Sequence, residues 1–365
     1  MKFPTATDTS NTTTQVLKEG EVQGSDVAAH STGILDIKTT ILPNADALFL
    51  TAIDKYGHEL WRWTFPVDKL NQTNEVFSPL SGKATYSETE NELTVKAKNH
   101  TFIFSKRDGQ LKGVSVNNHK ISFANGPRFI GARRADRSLD QFYNHDDEKA
   151  KEKDRTYSEF PDAAVFTKLE VKEDGGNLIV TANYKLGNLD KAQWTINPNG
   201  EAALDYTYNF SGVVDLIGIS FDYPEDQVIS KRWLGAGPYR VWQNRIHGTQ
   251  YDVWENDYND PIPGETFTYP EFKGYFDSVS WMNIRTKEGT ISLTNETPDS
   301  YIGVYQPRDG RDRLLYTLPE SGISVLDVIP PVRNKVNSTD LCGPSSQPKW
   351  VNGPQTGRII FRFME

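Results

Sequence analysis

The sequence predicts an all-β protein built on a large antiparallel β-sandwich. Three observations carry this. Apolar and polar residues alternate over many short runs, as they do where one face of a strand is buried. Turn signals separate those runs: Tyr56-Gly57, Asp108-Gly109, Asn117-Asn118, Asp174-Gly175-Gly176 and Pro198-Asn199-Gly200. No stretch alternates strand with helix, so a (β/α)₈ barrel is not expected.

Taken in order, residues 1–14 are rich in Thr, Ser and Asp, offer little to bury, and are expected to form a mobile tail. Ile34-Leu35-Asp36-Ile37 reads as a strand, and Ala47 to Ile53 as a second. Tyr56-Gly57 turns the chain into Glu59-Leu60-Trp61-Arg62-Trp63-Thr64-Phe65. There Trp61, Trp63 and Phe65 share one face while Leu60 and Arg62 share the other. The span 15–78 is too short for a whole sandwich, which needs about seven strands. A Pro-Leu-Ser-Gly run from Pro79 marks a boundary.

Hairpins follow across 79–365. Leu93–Ala97, Thr101–Phe104 and Leu111–Val116 are joined by turns, the last two through Asp108-Gly109. Between His145 and Arg155 the chain is dense in Asp, Glu and Lys, and a solvated loop or short surface helix is expected. Strands resume at Ala164–Val171, Ala202–Phe210 and Leu216–Phe221. Arg358–Phe363 fits a closing strand.

The pivot of the chain is Trp233-Leu234-Gly235-Ala236-Gly237-Pro238, followed by Tyr239-Arg240-Val241-Trp242-Gln243-Asn244-Arg245. A strand end, a tight Gly/Pro turn and a loop are expected. Flat aromatic faces beside guanidinium forks suit a sugar: rings cover its C–H face, and Arg or Asn bonds its hydroxyls. A buried, purely structural reading of each Trp stands beside this one. The run resembles the tryptophan–glycine–proline signature of the C-terminal small-chain domain of glycoside hydrolase family two β-galactosidases. In that family the turn leads into Glu-Asn-Tyr-x-Asp-Arg; here the aromatic and the final Arg persist. The double hairpin around Asp108-Gly109, the Gly126-Pro127 to Arg134-Ala135 segment and Tyr269-Pro270-Glu271-Phe272-Lys273-Gly274 resemble the same domain.

The resemblance implies an arrangement. Residues 15–78 would be a partial immunoglobulin-like β-sandwich, and 79–365 a small-chain supersandwich of the galactose mutarotase-like kind. Such a domain presents a Trp, from a Gly-rich loop before its last strand, to the sugar site of a neighbouring catalytic barrel. Trp350, after Gly343-Pro344-Ser345-Ser346-Gln347-Pro348-Lys349, holds that position. Trp350, Trp242, Arg245 and Trp254 are therefore the candidate substrate-binding residues. The family's catalytic glutamates lie on the barrel, which this chain lacks, so it is expected to be inactive alone and to partner that barrel and a carbohydrate.

Two other readings stay open. A free-standing mutarotase, epimerase or polysaccharide lyase on the same fold could use His247 with Glu255 or Glu271 as acid and base. An independent carbohydrate-binding module could use Trp242, Trp254 and Trp350. The acidic run around Asp252, Glu255, Asp257 and Asp260 reads equally as a solvated surface.

Composition narrows the field. A net charge of −9 argues against nucleic acid as a partner. A single Cys rules out a disulfide framework and a cysteine metal site, and neither cofactor nor metal is expected. No apolar run is long enough to cross a bilayer, so no membrane partner is expected. Lacking an apolar leader after Met1, the chain reads as cytoplasmic as written, or as periplasmic or extracellular if it is part of an exported enzyme.

Overall fold

The computed structural model describes residues 1–8, 13–40, 42–67, 82–134, 157–160, 163–257, 274–297, 299–304, 321–331 and 343–365. Two large sheets dominate. The first runs in the order β10 (Val165–Asp174), β11 (Asn177–Lys185), β12 (Leu189–Ile196), β13 (Ala202–Val214), β22 (Lys349–Met364), β19 (Gly289–Asn295), β18 (Trp281–Thr286), β15 (Val228–Gly237) and β16 (Gln250–Asn256). The second runs β17 (Phe276–Asp277), β20 (Tyr301–Val304), β21 (Ile323–Val328), β14 (Leu216–Asp222), β8 (Ala124–Arg134), β6 (Leu111–Val116), β5 (His100–Ser105), β4 (Glu92–Ala97) and β3 (Thr85–Glu88). Two short strands, β7 (His119–Ile121) and β9 (Tyr157–Glu159), join the second sheet beside β6 and β8. Among the described residues every strand pairing, such as β13 with β22 and β14 with β8, is antiparallel, and no α-helix occurs. The fold is the two-layer antiparallel supersandwich expected from the sequence.

The turns have the predicted chemistry. Asn117 and Asn118 both take positive φ between β6 and β7, and Gly175 and Gly176 do the same between β10 and β11. Each pair is the mirror-image turn whose twist matches a two-residue hairpin.

Between the sheets lies an aromatic core. Trp194 of β12 meets Phe104 of β5 at 6.1 Å and Phe221 of β14 at 6.0 Å, both edge-on. Phe361 of β22 lies 5.5 Å from Phe221 and 5.1 Å from Phe123. The inward row Ile359, Phe361 and Phe363 is fully buried, as alternation along a strand requires. On the outer face of the same strand, Arg362 donates to Glu201 at 2.6 Å and to Thr294 at 3.0 Å. Arg358 donates to Asp205 at 2.6 Å and pairs with Glu296 at 2.9 Å.

Two expectations need correction. Ile34–Ile37 forms no strand; Ile34 stands exposed, and among the described residues no strand pairs with its backbone. The tail is docked, not loose, where it is described. Phe3, 4% exposed, packs on Phe49 and Tyr251, and the Trp281 indole donates to the Pro4 carbonyl at 3.1 Å. Asn283 donates to the Ala6 carbonyl at 2.9 Å. A Phe and an Ala among the polar residues supply enough apolar surface to seat the segment on β15 and β18.

Residues 47–66 form one hairpin, β1 (Ala47–Ile53) and β2 (Glu59–Pro66), turned at Gly57 with φ +88°. Its Arg62 side faces the body. Arg62 donates to Gln250 at 3.0 Å, pairs with Asp252 at 3.2 Å, and lies over the Phe49 ring. The charged-acidic run around Asp252 is thus in part a structural joint: the same carboxylate accepts from Thr14 at 2.5 Å. The stretch from His145 to Arg155 lies outside the described residues.

Candidate functional site

β15 ends at Gly237, and β16 begins at Gln250 opposite it. The loop between them is pinned from below. Val241 exchanges backbone hydrogen bonds with Tyr275 at 2.7 and 2.8 Å. The Trp242 carbonyl accepts from the Arg245 amide at 2.8 Å, closing a tight turn. Trp242 itself is only 5% exposed and meets Tyr275 edge-on at 5.5 Å. The expectation that Trp242 offers a ring face to a ligand is therefore corrected: its indole is consumed in anchoring the loop, the usual fate of a large ring near an apolar cluster.

Trp254 is likewise built into the scaffold. Its indole donates to the Gln250 carbonyl at 3.0 Å and lies flat against Gly237. A Cβ at Gly237 would sit 2.4 Å from the indole, which explains the second glycine of the turn. Trp233 is fully buried, edge-on to Phe276 at 4.9 Å, and donates to the Ala236 carbonyl at 3.0 Å.

Trp350 differs. It opens β22 opposite Val213, the far end of β13, and is 69% exposed. A ring so open buries little apolar surface and contributes little to folding, so its face is free for a ligand or partner. The loop before it, with a short 3₁₀ turn at Pro344–Ser346, is tied to the 239–249 loop. Gln243 donates to the Gln347 carbonyl at 2.7 Å, and Asn244 donates to Ser346 at 3.0 Å. Gln243 also receives support through its amide, which donates to the Pro330 carbonyl at 3.1 Å. Two loops a hundred residues apart are thus tied together, and Tyr239, Arg245, His247 and Trp350 are all exposed. Sequence reading missed the Gln243–Gln347 link; no spacing pattern signals a contact between loops so far apart.

Of the candidate acid–base residues, His247 and Glu255 lie apart. His247 lies in the exposed turn before β16, and Glu255 lies five residues beyond Gln250, about 17 Å further along an extended strand. Glu255 faces Arg232 across the β15–β16 pair. Burial draws the Arg232 guanidinium below its ordinary range, and Glu255 opposes that. Glu271 and Asp260 lie outside the described residues. Beneath the loop, burial pushes the Tyr251 phenol up to about 12, while its bond with Ser280 at 2.5 Å pulls the other way. That hydroxyl is a support, not a base. Among the described residues no group of His, Cys, Asp and Glu is placed to hold a metal ion.

Comparison with known proteins places this architecture. The family described as β-galactosidase small chain is matched over residues 96–320, more than half of the chain. The chain belongs to the β-galactosidase small-chain family. The match takes in the strands from β5 to β20 and the Trp233–Arg245 run, and stops short of β21, the Trp350 loop and β22. No curated protein is matched by the sequence. Among solved structures, this small-chain domain is similar to galactose 1-epimerase from Lactobacillus acidophilus NCFM, with 9% identity, 78% of this chain and 99% of that one covered, and a TM-score of 0.38. It is similar also to a GalM/aldose epimerase homologue from C. elegans, with 10% identity, 77% and 99% covered, and a TM-score of 0.32. Likenesses of that degree bear on neither activity nor ligand.

Proposed function

We propose that this small chain is the carbohydrate-facing, non-catalytic part of a β-galactosidase-like glycoside hydrolase, completing the sugar site of a catalytic barrel carried by a large chain. The supporting observation is Trp350: an open indole, held by a rigid strand and by a loop tied to its neighbour through Gln243 and Asn244. An aromatic face rigidly placed at a rim can stack on a sugar delivered from elsewhere. Arg245, exposed on the loop tied to the Trp350 loop, supplies donors for hydroxyls. Trp242 and Trp254 support that rim from beneath. In the same frame we read residues 15–78 as part of an immunoglobulin-like sandwich, and the supersandwich as beginning near residue 79.

The test is kinetic. The small chain alone should not hydrolyse aryl galactosides, and should do so when combined with the large chain. Trp350→Ala should then lower kcat/KM about 10-fold, which corresponds to about 1.4 kcal/mol. Turnover by the small chain alone that vanishes on His247→Ala would overturn the proposal and favour a free-standing enzyme.

A further inference from the structure

The β1–β2 hairpin presents a second surface that the sugar site does not use. Antiparallel register sets Leu48 opposite Phe65, Leu50 opposite Trp63 and Ala52 opposite Trp61. Directly opposed residues point to the same side of a sheet. One face of the hairpin is therefore wholly apolar. It is also the outward face: Trp61 is 40%, Trp63 44% and Phe65 50% exposed. The opposite face, with Arg62 and Phe49, is already engaged with Asp252, Gln250 and Phe3. The hairpin is thus fixed in place with its aromatic side turned out.

That arrangement is costly for a free protein. A lone two-stranded hairpin is marginal in water, and the largest apolar patch on a soluble monomer, about 300–600 Å², is often an interaction site. Three half-exposed rings leave about 300 Å² open. We infer that the large catalytic chain covers this face, with an apolar surface of its own, so that the hairpin forms the apolar centre of the interface between the two chains. This inference rests on the small-chain reading above.

Two other occupants fit less well. A second copy stacking patch on patch would bury about 600 Å² in all, roughly half of what a specific interface needs. Each copy also carries a net charge of −9, which opposes self-association. A sugar needs hydrogen-bonding groups beside the rings, and this face offers only Leu48, Leu50 and Ala52. A larger apolar protein surface meets every constraint.

The experiment measures binding of the full small chain to the large catalytic chain of the same source, by surface plasmon resonance. Trp61→Glu/Trp63→Glu should weaken binding at least about 30-fold. Circular dichroism and thermal melts check that the double variant folds. Hydrogen exchange over residues 47–66 of the unaltered chain, which needs no variant, should slow when the large chain is added. Unchanged affinity of the double variant, or unchanged exchange, overturns the inference and leaves the small-chain reading intact. Failure of the wild-type chains to bind one another overturns both. A dimer in light scattering that dissociates on Trp63→Glu would assign the face to a second copy. Retention on soluble galactan that is lost in the same variant would assign it to sugar. Either result overturns the inference.

Discussion

A carboxyl between the two sheets gives the sharpest test of the packing. Asp327, on β21, accepts a hydrogen bond from the Tyr208 hydroxyl of β13, so the pair bridges the sandwich. Tyr208 is fully buried, lies 5.5 Å from Phe129 edge-on, and stacks parallel to Tyr206 at 6.5 Å. Burial raises the Asp327 carboxyl above its ordinary range, and the Tyr208 bond only partly opposes this. Burial, with the Asp327 charge, also holds both tyrosines well above theirs. The sign follows. A carboxyl whose native pKa exceeds its unfolded value keeps its proton longer in the folded state. Its contribution is full below the unfolded value, about 4, and is lost as pH rises through the native value. Asp327→Asn keeps the acceptor and removes the charge. In urea unfolding followed by tryptophan fluorescence, wild type should therefore lose stability relative to Asp327→Asn as pH is raised from about 4 to 8. Tyr208→Phe removes this donor and should cost about 1.5–3 kcal/mol once the carboxyl is ionised, against about 1 while it keeps its proton near pH 4. Parallel pH profiles for wild type and Asp327→Asn, or an equal cost of Tyr208→Phe at both ends, would refute the account.

Other outcomes follow from the same geometry. Gly237→Ala drives a methyl into the Trp254 indole and should cost about 1–3 kcal/mol, read as a lowered melting temperature. Arg62→Ala removes the contacts to Asp252 and Gln250; the hairpin should become open to limited proteolysis between residues 53 and 59 while the main melting transition stays put. Gln243→Ala severs the link to the Gln347 carbonyl, a loss of about 1 kcal/mol locally. Hydrogen exchange in residues 343–350 should then quicken.

How much of this could be read from residues alone varies with range. Strands and turns were legible, because alternation and turn dipeptides are local: Leu111–Val116 and Ala47–Ile53 match β6 and β1 at both ends. The exposure of Trp350 was legible too, beside a Pro/Gly/Ser run with little to bury against, but its place in β22 was not: the strand begins at Lys349, well before the expected Arg358. Which face of β2 is covered was not. Alternation shows that Trp61, Trp63 and Phe65 share a side, but Arg62 reaching Asp252 across 190 residues decides that this side turns outward. Trp242 looked like a ligand platform for the same reason. Its burial depends on Tyr275, which sequence does not place beneath it. Ile34–Ile37 had a strand's composition and no strand beside it, and a ladder needs both.

The position of β22 has a consequence for assembly. This sixteen-residue strand lies between β13 and β19 and is paired along both edges. Until residues 349–364 have emerged from the ribosome, those two neighbours keep raw edges, an opening for strand exchange between nascent chains. Trp350 sits near the start of that strand, where it pairs with β13 alone. A molecule caught half-built has no way to display that indole in its final place, so its placement and completion of the sheet arrive in a single event.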